Sequence, residues 1–167
     1  MKHILKYVIA LASASALMLA FRTLAFSIHS VTGNGLEPLY HQGDQLLIDR
    51  RCYGLRVKGS PLLPYCRLMR RPVRRGDIVA FCLSDGTRDE LMIARCAAIP
   101  GDSILTTQGI INVPGLVNCD KADCYWMEAI NRQNPADSRH LGFIHEQDII
   151  GRVVGVLYNR NDLRLMP

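Results

Sequence analysis

From Ser30 onward no stretch of the chain sustains apolar residues at helical spacing. They come instead in short runs cut by Gly, Pro, Asn and Asp, which dictates a mostly β fold. The expected strands are Gln45–Ile48, Asp77–Leu83, Leu91–Ile99, Ile110–Val113 and Ile149–Tyr158, with a polar turn at Asp85-Gly86 joining the second and third. Arg56–Pro72, rich in Gly, Pro and Arg, interrupts this series. It reads as a surface excursion, neither a repeat nor a second domain.

The N-terminus is different in kind. Lys2, His3 and Lys6 precede Tyr7–Phe21, which carries no charge, and after Arg22 the apolar character resumes through Ile28. The span is long enough at helical rise to cross a bilayer core if Arg22 snorkels to the outer interface. It predicts a single transmembrane helix over residues 1–28, N-terminus inside, with one domain over 29–167 on the outer side. A cleaved secretory signal, with Thr23-Leu24-Ala25 as a poor small-residue site, is the competing reading. With 167 residues, 49% of them hydrophobic, the chain can fill one buried core beside such an anchor.

Twenty Lys and Arg against fifteen Asp and Glu leave +5, clustered at Arg50-Arg51 and across Arg67, Arg70, Arg71, Arg74 and Arg75. No aromatic interleaving accompanies these clusters, so nucleic acid is not an expected partner. Anionic lipid headgroups, or solvent alone, fit better. Six cysteines in an exported domain suggest disulfides. Cys119 with Cys124 would close a short loop, and Cys52 with Cys66 would staple the excursion. Cys82 and Cys96, within apolar runs, read as small buried hydrophobes. Paired CxxC motifs are missing and the histidines are dispersed, so neither a metal nor another cofactor is expected.

Four boxes then stand out in order. In Gly33–Gly54, Leu36, Glu37 and Pro38 are followed by Gly43-Asp44 five residues beyond the proline, then by Leu46-Leu47-Ile48 and Tyr53-Gly54. The second box is Arg75-Gly76-Asp77-Ile78-Val79-Ala80-Phe81, and the third is Met92–Ile99 with Pro100-Gly101-Asp102. The fourth is Asn131–Arg139, continuing into Gly142-Phe143-Ile144 and Ile150-Gly151-Arg152. Singly each is weak. Together, from about Phe26 to Arg152, they resemble the bacterial type I signal peptidases, which are serine–lysine peptidases with an antiparallel β domain behind a membrane anchor.

What the resemblance implies is a fold with its chemistry removed. In its register Gly35 stands at the nucleophilic serine, Leu36 at the methionine after it, Ala94 at the general-base lysine and Pro135 at the serine that orients that lysine. Gly33 replaces a hydroxyl of the oxyanion hole, and Ala129-Ile130 replaces a Gly-Asp pair. Asp137 and Arg139 are retained and match a structural ion pair. Without an alcohol and an amine of lowered pKa, peptidase chemistry of this type has no nucleophile and no base. Several concerted losses fit decay by descent better than one engineered lysine-to-alanine change.

Val31, Leu36, Tyr40, Met92 and Ile93 match the family's substrate-binding positions, where a preprotein lies as an added strand. The expectation is therefore an inner-membrane, single-pass protein facing the periplasm that binds an exported preprotein or pilin during maturation or assembly. The alternatives are an active signal peptidase using a relocated pair drawn from Ser30, Thr32 or Lys58, and a purely structural subunit of an envelope complex.

Overall fold

The computed structural model describes residues 2–57, 65–84, 89–106, 109–118, 122–131, 134 and 137–159. A helix, α1 (Lys2–Ala25), leads directly into strand β1 (Phe26–Ser30), followed by β2 (Asp44–Asp49). The short β3 (Leu55–Val57) and β4 (Cys66–Leu68) come next, then the long β5 (Ile78–Ser84) and β6 (Asp89–Ala98). After the hairpin β7 (Ser103–Thr106) and β8 (Gly109–Asn112) come β9 (Cys124–Glu128), α2 (Ser138–Leu141), β10 (Ile144–His145) and β11 (Ile149–Asn159).

Seven of these strands form one antiparallel sheet in the order β1-β2-β11-β5-β6-β9-β10, and two separate hairpins, β3-β4 and β7-β8, stand beside it. The long C-terminal β11 lies between β2 and β5 and holds the two halves together. Where it bulges past β5, Gly151 passes so close to the Asp49 carbonyl of β2 that a Cβ there would collide with backbone.

Alternation along the strands buries both faces of the sheet. Val79 and Phe81 on β5 join Tyr53, Val73, Ala94, Cys96, Tyr125, Met127, Ile144 and Ile149 in one cluster. Ala80, one step along, faces the other way into Val31, Tyr40, Leu46, Ile48, Ile93 and Val153. A third cluster, Ala98, Val113, Cys124 and Trp126, closes the far end, with Phe143 set edge-on to Trp126 at 5.6 Å.

The mostly β expectation holds, and the five expected strands each appear within a few residues of their expected limits. The turn at Asp85-Gly86 lies outside the described residues, although β5 and β6 pair up to Ser84 opposite Asp89. Six strands were not foreseen, β7 and β10 among them. Phe26–Ser30 is strand, not the tail of an anchor; Cys124–Glu128 lies within the sheet; and the excursion carries the β3-β4 hairpin. Among the described residues no helix is long and apolar enough to cross a membrane.

The expected Cys52–Cys66 staple is not made, and both are free thiols. The reason is register: Cys66 pairs with Val57 at the far end of the hairpin, whereas Cys52 precedes the turn at Gly54. Cys119 lies outside the described residues, so the Cys119–Cys124 pair does too; Cys124 Sγ sits 3.2 Å from His145 Nδ1. Exposed Cys66 and buried Cys96 offer a direct check of this packing. Burial pushes the Cys96 thiol up to about 12. Iodoacetamide at neutral pH is therefore expected to label Cys66 in the folded protein and Cys96 only after unfolding, as read by peptide mass spectrometry.

Candidate functional site

The residues retained from the four boxes tie the backbone together. Tyr53 Oη donates to Asp77 Oδ2 at 2.9 Å, and Arg152 approaches the other oxygen of the same carboxylate at 3.6 Å, so three boxes meet on Asp77. Arg75 Nε donates to Asp102 Oδ2 at 2.7 Å, joining the second box to the third. That hydrogen bond holds the Asp102 carboxyl below the usual carboxylate range.

In the fourth box Asp137 is completely buried and caps α2. Its oxygens accept from the Arg139 backbone N–H at 3.0 Å, from Arg139 Nε at 2.7 Å and from the His140 ring at 3.2 Å. Burial alone would raise its pKa, but the Arg139 and His140 hydrogen bonds outweigh it and hold the group low. Asp137 and Arg139 thus form the expected ion pair.

The loop between β1 and β2 folds back over the sheet. Leu39 and Tyr40 both donate their N–H to the Leu36 carbonyl, at 3.1 and 3.0 Å, and the turn closes where Gly43 N–H meets Val31 O at 3.0 Å. Asp44, nearly buried, fixes the exit by accepting from His41 N–H at 2.8 Å. Under this loop opens a cleft of about 190 Å³ lined by His29, Val31, Thr32, Gly35, Leu36, Leu91, Met92, Ile93 and Asn134. That is about the space of six waters, enough for small side chains and too small for a drug-sized ligand.

Four of the five expected binding positions, Val31, Leu36, Met92 and Ile93, are therefore brought together beside Gly35. Val31 and Ile93 form its floor and are almost entirely buried. Tyr40 is not among the lining residues. It is 8% exposed and packs in one cluster with Val31, Leu46, Ile48 and Ile93.

Sequence reasoning missed His29, Leu91 and Asn134. The first two could have been found, since each lies two residues before a chosen position on the same strand face, Val31 and Ile93. Asn134 immediately precedes the position read as a lost serine. Pro135 itself lies outside the described residues.

A side chain at position 35 would have to turn the Asn134 side chain aside. A Cβ built there would lie 2.5 Å from Asn134 Nδ2, and that same amide donates to the Gly35 carbonyl at 3.2 Å. Asn131 Nδ2 donates to Asn34 O at 3.2 Å, so the loop at 131–134 is clamped onto the loop at 33–35 by two amides. Ala94 is fully buried and faces the opposite side of β6 from Ile93, among Phe81, Tyr125 and Met127.

Of the possible substitutes, Thr32 lines the cleft, Ser30 accepts from Gln45 Nε2 at 3.0 Å, and Lys58 lies outside the described residues. His29 is the only titratable group among the cleft-lining residues, and burial lowers its pKa, leaving a neutral imidazole at neutral pH. Among the described residues no group of three or more metal-ligating side chains occurs.

Comparison with known proteins bears on these boxes directly. The family model described as "Signal peptidase, peptidase S26" matches residues 4–121 and 116–158. A probable signal peptidase I-2 of Synechocystis sp. is 24% identical over 160 residues, covering 84% of this chain and 66% of its own length. A signal peptidase I of Leptolyngbya laminosa is 23% identical over 160 residues, covering 83% of this chain and 71% of its own length. The chain spans about two thirds of the length of these curated relatives.

Proposed function

Since this chain belongs to the signal peptidase S26 family, we propose that it is a membrane-anchored member that holds an exported preprotein or pilin beside Gly35 without cleaving it. The observation carrying the reading is that Val31, Leu36, Met92 and Ile93 line one cleft beside Gly35, a position with no hydroxyl of its own. A serine–lysine peptidase needs a hydroxyl within hydrogen-bond reach of an amine kept neutral by burial. The cleft-lining residues include no lysine, and among the described contacts no hydrogen bond joins Thr32 to His29.

Binding needs much less than catalysis. An extended client segment adds main-chain hydrogen bonds along a strand while small side chains enter the cleft. Its floor is apolar and preformed by Val31, Leu91 and Ile93.

Membrane attachment is supported by where the exposed apolar residues lie. From Lys6 to Leu19 every side chain of α1 is exposed, among them Leu11 at 71% and Leu17 at 73%, which in water would be costly. At the exit of the helix Arg50 N–H donates to Ala25 O at 2.9 Å, which sets Arg50-Arg51 at the level expected for anionic headgroups. Ile28, Val154 and Leu157 are exposed on the neighbouring strands. We read the chain as single-pass, its β domain in the periplasm, working in client maturation or assembly.

The test is a paired assay on the full chain in detergent, with a fluorescent signal-bearing peptide. Binding is expected without cleavage, and Leu36→Asp, at a half-buried position on the cleft wall, is expected to weaken binding at least about tenfold while the circular dichroism spectrum stays unchanged. Turnover that disappears in Thr32→Ala or His29→Ala would instead establish a signal peptidase with a non-standard catalytic pair.

A further inference from the structure

A second, larger cleft of about 620 Å³ is lined by Pro38, Leu39, Arg95, Glu128, Ala129, Ile130 and Arg139. It continues the first one. The loop that gives Gly35 and Leu36 to the small cleft gives Pro38 and Leu39 to the large one, and the segment that gives it Asn134 gives the large one Ala129 and Ile130. Residues 35–36 and 38–39 of one loop thus line neighbouring clefts, and so do Arg95 and Ile93 of one strand.

The charges there are unevenly satisfied. Arg139 is neutralised by Asp137. Arg95 is exposed and, among the described residues, makes no ion pair; Glu128, directly across the strand pair from it, does not form one with it. Ile130, an apolar residue, occupies the wall beside this guanidinium. An arginine fork set against Pro38, Leu39, Ala129 and Ile130 is a receptor for a planar carboxylate, which it can grip with two parallel hydrogen bonds.

We propose that Arg95 reads an acidic side chain in the client, in the segment flanking the one that lies beside Gly35. This deepens the binding reading above and rests on it. Glu128 opposes the incoming carboxylate and sets a limit on its affinity.

The experiment uses the full chain in detergent and short fluorescent peptides with an alternating Ala-Val core. A single aspartate is moved through the positions flanking the core, each peptide being compared with its asparagine twin by anisotropy. At one position the aspartate peptide is expected to bind about fivefold tighter or more at low salt, with the preference shrinking as salt is added.

Arg95→Gln is expected to erase the preference while leaving the asparagine peptide's affinity unchanged, and Glu128→Gln to enlarge it. Ile130→Asp, which supplies an internal carboxylate, is expected to abolish it. If the parent protein binds both twins equally at every position, or if Arg95→Gln keeps the preference, the acidic-client proposal is overturned and the cleft beside Gly35 is untouched. If no peptide binds, the binding reading itself fails and takes this proposal with it.

Discussion

Replacing Ala94 with lysine is expected to remove about 4–5 kcal/mol from the folded state at pH 7, the linkage cost there of a buried amine whose pKa falls by 3–5 units from about 10.4. The side chain would project into a closed cluster with Phe81, Tyr125 and Met127, where Ala94 has no exposure at all. Domains of this size are stable by only about 5–15 kcal/mol, so the variant would be close to unfolding.

The sign with pH follows from linkage. A lysine with a depressed folded-state pKa leaves the unfolded chain binding the extra proton, so the deficit grows as pH falls until it levels off below the folded-state pKa, and it narrows as pH climbs toward about 10. Ala94→Met, which overfills the site without a charge, should cost about 1–3 kcal/mol with no such pH dependence. Thermal melts at pH 7 and pH 10 on both variants separate the two effects. A lysine variant that melts like the parent at pH 7 would mean that the cluster can accept an amine.

Asp137→Ala is expected to cost about 3 kcal/mol at neutral pH. The substitution removes the cap of α2 and leaves both the Arg139 backbone N–H and its guanidinium without their acceptor. Half of Arg139 is in water, which keeps the figure at the lower end for a broken pair. Because the Asp137 carboxyl titrates below its ordinary value, its contribution is complete above about pH 4 and is lost as pH falls through the folded-state pKa. Urea midpoints for parent and variant should therefore converge toward pH 2. A gap of equal size at pH 7 and pH 2 would show that the carboxylate's charge is not what matters.

Much of the architecture was legible because alternation and turn residues speak directly for strands, as in Asp77–Leu83 and Ile149–Tyr158. Where a strand is buried on both faces that signal vanishes. Cys124, Tyr125, Trp126 and Met127 are all buried in succession, so the segment shows no period of two. Phe26–Ser30 was masked differently, by following an apolar helix without a break. The register of the site could be counted from Pro38 and Pro100, which is why Gly35, Leu36, Met92 and Ile93 could be brought together on paper. Spacing carries no information about which way a loop residue turns, and so Tyr40 was assigned to the cleft and Asn134 overlooked.

The position of Asn134 also bears on the chain's history. A mutation that returned an alcohol to position 35 would first have to evict a neighbouring amide, and the newcomer would then find no amine waiting for it. On the binding reading proposed above, both groups would have to arrive before either was of use to a peptidase.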